Sequence, residues 1–318
     1  ICTNAGGMNI AGCVDGIRQW AESEKMKGYK IGYVTGDSIK DKIPQLLKDG
    51  WTFPNFDYDG DFHSILDKIY NCNAYIGHEG IEQCLRDGAD VVITGRAADS
   101  ALFLAPLAYE FGWADNDWNN LARGIMAGHL LECGGQGAGG NYMYDWRNVP
   151  RMDELGFPIA ELTDDTFEIT KAPDCGGVIC EQSCKEQFLY EVHDPANYLT
   201  PDVNVDISKA TITQVGPDRV RIGNVRGKQR PDTLKLCVGY HKGWKTVSML
   251  SFAWPDAYEK AQYCAEVIMK KMARRGMKAD DVHISYIGVN SLHLGVADMS
   301  EEALKNLNEC VLRIAVFS

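Results

Sequence analysis

The sequence predicts an α/β fold: a mainly parallel sheet in an N-terminal domain, a β-richer region after it, and a small ferredoxin-like α+β domain at the end. Three observations lead there. Before the glycine-rich run at 134–140, short apolar runs alternate with amphipathic stretches, the pattern of βαβ units around a parallel sheet. From Thr163 the pattern changes to a two-residue alternation, which belongs to half-exposed strands. From Thr233 onward the order strand, strand, helix, strand, helix, strand suits a ferredoxin-like sandwich. The corresponding regions are 1–162, 163–230 and 231–318, the last reading as truncated.

In the first region, strands are predicted at Tyr29–Thr35, Ala74–Ile76 and Asp90–Thr94, with helices over Ala11–Lys27, Ile39–Lys48, Glu79–Asp87 and Asp99–Phe111. A Trp-rich acidic turn, Trp113–Trp118, leads into a helix over Asn119–Glu132 that stops at the glycines. Thr166–Thr170, Ala210–Val215 and Arg219–Ile222 read as strands, the last two joined by a hairpin turn at Gly216-Pro-Asp218. Beyond them lie strands at Thr233–Tyr240 and Lys245–Phe252, a helix over Trp254–Arg274 and a strand at His283–Val289. The chain opens on Ile1 in a strand-like run and closes on another, Leu312–Ser318, so both ends read as cut from a longer protein.

With 318 residues, 45% apolar and 24% charged, the chain can bury a sizeable core. A net charge of −12 argues against a nucleic-acid partner or an anionic membrane surface, since both select clustered Lys and Arg. No apolar run approaches the roughly 20 residues that cross a bilayer. The 11 cysteines are spread through predicted helices and strands rather than crowded into a short loop-rich chain, which points to a reducing compartment, the cytoplasm or, in a eukaryote, the mitochondrial matrix. Cys180 and Cys184 have helical spacing with no second pair to complete a zinc site.

Gly134-Gly-Gln-Gly-Ala-Gly-Gly140 permits close approach of backbone N–H groups to an anion, and a flexible connector or tight turn is the plainer reading. Gly135-x-Gly137-x-x-Gly140 spells a dinucleotide fingerprint but follows a helix instead of a strand, so that reading fails. On the preceding helix, His129, Glu132 and Cys133 stand at i, i+3 and i+4, on one face at its C-terminal end. They suit a C-terminal cap with a buried thiol, a general acid/base pair, or part of a metal site. A helix C-terminus disfavours a thiolate, which counts against a Cys nucleophile.

Arg96 and Asp99 follow an apolar strand and so face the crevice at the strand ends, where Arg can fork onto a carboxylate or phosphate and Asp can act or merely cap the next helix. Asn4, with Gly6 and Gly7, holds the matching place after the first strand. Together with Gly135, Gln136, Gly137, Gly139, Gly140 and Asn141, they are candidates for substrate binding, while His129, Glu132, Arg96 and Asp99 are candidates for catalysis. Further along, Lys171 and the helically spaced Glu186, Tyr190 and His193 could add acid/base groups from the second region. His78-Glu79 is half of a zincin motif, with Glu82 where the second His would stand. No metal is assigned.

Several blocks carry a resemblance. Thr3-Asn-Ala-Gly-Gly-Met-Asn9, Ile93-Thr-Gly-Arg-Ala-Ala-Asp99, Ala127-Gly-His-Leu-Leu-Glu-Cys-Gly-Gly-Gln-Gly-Ala-Gly-Gly140, Gly156-Phe-Pro-Ile-Ala-Glu161, His193-Asp-Pro-Ala-Asn-Tyr-Leu-Thr-Pro-Asp202 and Arg226-Gly-Lys-Gln-Arg-Pro-Asp232 resemble, in order, the acyclic terpene utilisation protein A family. Ile10 stands where members commonly have Pro, and Asp174-Cys-Gly-Gly177 with Ser183-Cys184 replaces a Thr-rich block. The resemblance implies acyl-CoA or small-carboxylate catabolism, with coenzyme A as an option for part of the substrate and no cofactor assigned. The expected reaction is a hydratase- or lyase-type proton transfer. Two alternatives stand beside it: a non-catalytic subunit of an acyl-CoA-processing complex, and a metal-dependent hydrolase. The expected assembly is a homo-oligomer, with a small partner subunit as an option.

Overall fold

The structure, a computed structural model, describes residues 1–57, 59–293 and 299–318. The chain forms two compact units, Ile1–Tyr240 and His241–Ser318. The first opens with β1 (Cys2–Thr3), α1 (Ile10–Ser23), β2 (Ile31–Val34), α2 (Ile43–Lys48), β3 (Ile69–Ala74), α3 (Glu79–Arg86), β4 (Val91–Thr94), α4 (Ala101–Phe111) and α5 (Trp118–Leu131). The predicted α/β class holds: β1, β4 and β2 form a parallel sheet in that order, with Cys2 opposite Val92 and Tyr33 opposite Ile93. All three strands therefore point their carboxyl ends the same way. Val92 and Ile93 are buried in the middle of this sheet, with Ile81 of α3 and Ala105 of α4 packed beside Val92.

The rest of the unit is antiparallel: β5 (Pro158–Leu162), β6 (Phe167–Lys171), α6 (Glu181–Leu189), β7 (Tyr198–Leu199), β8 (Asn204–Asp206), β9 (Thr211–Gly216), β10 (Arg219–Gly223), β11 (Arg226–Lys228) and β12 (Leu236–Tyr240). They make a four-stranded sheet, β5-β6-β10-β9, and a three-stranded one, β11-β8-β7. One buried cluster runs through α4, α5 and both sheets, joining Leu104, Leu121, Ile125 and Met126 to Phe167, Ile169, Val205, Val220 and Ile222. Each such side chain contributes about 1.5–3 kcal/mol by leaving water.

That shared core redraws the boundaries expected from sequence. A division at 162/163 would fall inside the β5–β6 hairpin, where Leu162 pairs with Phe167. A division at 230/231 would detach β12, which instead pairs with β3, Leu236 opposite Ala74. Leu236, Val238 and Tyr240 complete the small cluster of Ile43, Ile69 and Cys72, so this strand belongs to the first unit. The helix expected over Ile39–Lys48 begins as a 3-10 turn at Lys40–Lys42 and becomes α-helical from Ile43, with Pro44 in the first turn, where its missing N–H costs nothing.

The second unit consists of β13 (Lys245–Ala253), α7 (Ala257–Arg274), β14 (Asp281–Ile287), α8 (Glu301–Lys305) and β15 (Glu309–Phe317). The sheet order is β13-β15-β14, and β15 is antiparallel to both neighbours. β13 and β14 are thus parallel and joined through α7, with β15 inserted between them, the split βαβ of ferredoxin-like folds. Ala257, Ala261 and Ala265 form one stripe of α7 and lie on Leu312 and Ile314. Among the described residues, no helix is long and apolar enough to cross a membrane.

Candidate active site at the strand ends

Past the ends of β1 and β4, Asn4, Arg96 and Asp99 meet on one oxygen. Asn4 Nδ2 donates to Asp99 Oδ1 at 2.7 Å and Arg96 Nη2 to the same atom at 3.0 Å. Asp99 is therefore not the helix cap that sequence left open; α4 is capped from Ser100 without a side-chain bond. Behind Arg96 stands Asp37, beyond the end of β2 and 2% exposed. Its Oδ2 accepts from the Arg96 backbone N–H and from Asn73 Nδ2, both at 2.8 Å. Gly95 is required here, because a Cβ would lie 2.4 Å from that oxygen. Gly6 likewise lets β1 close on β4, since its Cβ would sit 2.5 Å from the Thr94 carbonyl. Gly7, at φ +51°, turns the chain toward Asn9, which caps α1 by accepting from Gly12 N–H at 3.0 Å.

α5 is buried all round from Leu121 to Leu130. Its Gly128 lies directly on the start of α4, where a Cβ would stand 2.7 Å from the Ser100 carbonyl oxygen. That approach sets the next residue, His129, at the crossing of α5 with the start of α4. His129 is 1% exposed. Its Nδ1 lies 3.5 Å from Glu132 Oε1 and 3.5 Å from the Tyr198 hydroxyl, and the Tyr198 ring meets it edge-on. Nε2 is buried without a hydrogen-bond partner.

Burial pushes the Tyr198 hydroxyl up, and the negative charges of Glu132, Glu191 and Asp99 push it further. Burial also raises the Cys133 thiol; a hydrogen bond with Gln187 opposes this, while the same three carboxylates reinforce it. Asp99 thus bears on both groups, and Asn4, Arg96, Asp99, Glu132, His129 and Tyr198 form one electrostatic site. Cys133 is held as a thiol within it.

The glycine-rich run adjoins this site without the open cradle expected of it. The amides of Gln136, Gly137, Ala138, Gly139 and Gly140 donate to the carbonyls of Cys133, Gly134, Gly135, Gln136 and Gly135, so the turn is closed on itself. Its glycines serve packing: Cβ atoms at Gly135 and Gly140 would meet Leu155 at 2.8 and 2.7 Å, and one at Gly137 would meet the Leu130 carbonyl at 2.4 Å. Gly139 takes φ +96°. Asn141 is exposed. Gln136 has a positioning contact, donating to Gln187 Oε1 at 3.1 Å, and Gln187 donates to the His129 carbonyl at 3.2 Å.

The remaining candidates lie elsewhere. Lys171 is paired with Asp218 at 3.2 Å and donates to the Cys175 carbonyl. Glu186 accepts from the Met143 N–H and from Gln182. Glu186, Tyr190 and His193 share no helical face: α6 ends at Leu189, Tyr190 is extended at ψ 128°, and Glu191 takes φ +61°. His193 is exposed. Sequence reasoning missed Tyr198, Glu191 and Gln187, of which the first lies in a block quoted for the resemblance and nothing local marks the other two, whereas Gly36-Asp37 already stood out at the end of a predicted strand.

His78 forms a second buried cluster. It is 2% exposed, with Nδ1 2.7 Å from Asp202 Oδ1 and Nε2 3.3 Å from Glu82 Oε2. The Glu82 that spoils a zincin motif is thus its ion partner. Burial alone would push this imidazole down, but the hydrogen bond and charge of Asp202, then Glu82 and Glu79, leave it raised. With both ring nitrogens held by carboxylates, His78 is committed to structure, and its surroundings favour the protonated ring. Among the described residues, no three His, Cys, Asp or Glu side chains are gathered as a metal ion would require.

Two open grooves of about 390 and 400 Å³ lie on the second unit, one lined by His283–Tyr286, Val289 and Leu304 and one by Thr246, Met249, Ile268 and Met272. No curated protein and no solved structure matches the chain. The family model described as acyclic terpene utilisation family protein AtuA matches residues 1–318, the whole length in which the strand-end cluster, the His129 helix and the closed glycine turn succeed one another. The chain belongs to the acyclic terpene utilisation (AtuA) family.

Proposed function

We propose that this chain is an enzyme of acyl-CoA or small-carboxylate catabolism that moves a proton beside a carbonyl, as hydration and dehydration require. The observation that carries this reading is His129: a buried imidazole with Nε2 unpartnered and Nδ1 beside Glu132 and Tyr198. Such a nitrogen can take a proton from carbon, and the Glu132 carboxylate stabilises the imidazolium that results. Arg96, half-exposed and fixed through its backbone by Asp37, is the cation available to an anionic group of the substrate or to enolate charge. Asn4 and Asp99 hold the guanidinium in place. The closed turn at 134–140 acts here as support for His129 rather than as an oxyanion hole.

The test is deuterium exchange from solvent at the carbon next to the carbonyl of acyclic terpenoid acids and their CoA thioesters. His129→Asn should lower exchange and turnover by about 10²–10⁴-fold, the usual worth of a positioned base, while far-UV circular dichroism stays unchanged. Full exchange in that variant would leave the non-catalytic subunit as the better account.

A further inference from the structure

One aromatic side chain at the rim of this site is engaged by two cations. Tyr75 follows the last residue of β3, and the next residue, Ile76, bridges in parallel to Ala97, which sets Tyr75 beside Arg96. Arg96 Cζ lies 4.9 Å from its ring centroid and Lys235 Nζ 5.2 Å from it. The Tyr75 N–H donates to the Lys235 carbonyl at 2.9 Å, so backbone pairing fixes ring and lysine together. Cation–π attraction at such a site amounts to about 0.5–1 kcal/mol per pair and has to offset the repulsion of the two cations. Arg96 has a carboxylate partner, Asp99; among the described residues, Lys235 has none.

We propose that Tyr75, Arg96 and Lys235 form an anion subsite for the phosphate or diphosphate group of a phosphorylated substrate. The proposal rests on the strand-end reading of the active site and specifies its substrate as a phosphate-bearing thioester rather than a free acid. One guanidinium satisfies a carboxylate. A second cation without an acid of its own fits the higher charge of a phosphoryl group, and an ammonium binds it as a point charge.

The test uses the full chain, titrated with three probes: coenzyme A, pantetheine, which has the same thiol arm without phosphates, and inorganic pyrophosphate. Wild type should bind coenzyme A, with pyrophosphate competing and affinity falling as salt rises. Lys235→Ala should weaken coenzyme A binding about tenfold and leave pantetheine unchanged, which corresponds to about 1.4 kcal/mol. Lys235→Arg should restore most of it, and Tyr75→Leu should reproduce part of the loss. Unchanged coenzyme A affinity in Lys235→Ala, or equal losses for coenzyme A and pantetheine, overturns the subsite. The two proposals fail separately. If His129→Asn keeps full turnover while Lys235→Ala loses coenzyme A, proton transfer at His129 falls and the subsite stands. If His129→Asn abolishes turnover of a free acid and Lys235→Ala changes nothing, the subsite falls.

Discussion

Two buried histidines show how neighbours, not residue type, decide a role. His129 keeps one ring nitrogen unpartnered while the other lies beside Glu132 and Tyr198, whereas His78 has both nitrogens committed to Asp202 and Glu82. A histidine whose folded pKa is raised gives stability that is complete below the unfolded value, about 6.5, and that fades as pH rises through the folded value. Urea unfolding should therefore show wild type losing stability from pH 6 to pH 9 by more than Asp202→Asn does. At pH 6 the variant should be about 3–5 kcal/mol less stable, because it leaves an imidazolium buried without its closest counter-charge. Parallel pH profiles for the two proteins would mean that His78 is neutral in the fold.

Elements decide how the site is assembled, and here sequence could be read only in part. The parallel strands and the helices over 79–86, 101–111 and 118–131 followed from apolar periodicity, and Arg96 and Asn4 were placed because strand ends in such sheets face a crevice. The glycine run misled because glycine permits both close ligand approach and close packing, and only the structure shows Leu155 and the Leu130 carbonyl filling the space. Tyr198 and Glu191 escaped because their links, to His129 and to Cys133, span far more chain than any local pattern. What sets the His129 end of α5 against the start of α4 is the crossing of the two helices at Gly128, and Gly128→Ala tests it. Alanine favours a helix over glycine by up to about 1 kcal/mol, yet its Cβ would lie 2.7 Å from the Ser100 carbonyl oxygen, backbone that cannot rotate away. Overpacking of that kind costs about 1–3 kcal/mol, so net destabilisation should appear in urea unfolding together with lower turnover. A variant as stable and active as wild type would show that the two helices are free to separate.

At the scale of the whole molecule, the chain divides after Tyr240, where no sequence signal stood out, because the division depends on which strand β12 pairs with. The choice of β3 leaves β13, β14 and β15 to close their own sheet over α7. That second unit has a complete small core in Ala257, Ala261, Ala265, Leu312 and Ile314, with Phe252, Ile284 and Tyr286 partly buried around it. On β13, Val247, Met249 and Leu250 remain exposed, at 44%, 60% and 39%. A core of this size supports about 3–5 kcal/mol. Residues 241–318 expressed alone should then unfold in urea as one cooperative transition of that magnitude. Leu312→Ala, fully buried at the centre of the sheet, should remove about 2–5 kcal/mol, enough to abolish the transition in the isolated unit. The same substitution in the full chain should leave Ile1–Tyr240 folded, since its core shares no residue with this one. A gradual, non-cooperative loss of signal from the wild-type fragment would mean that the second unit draws its stability from the rest of the chain.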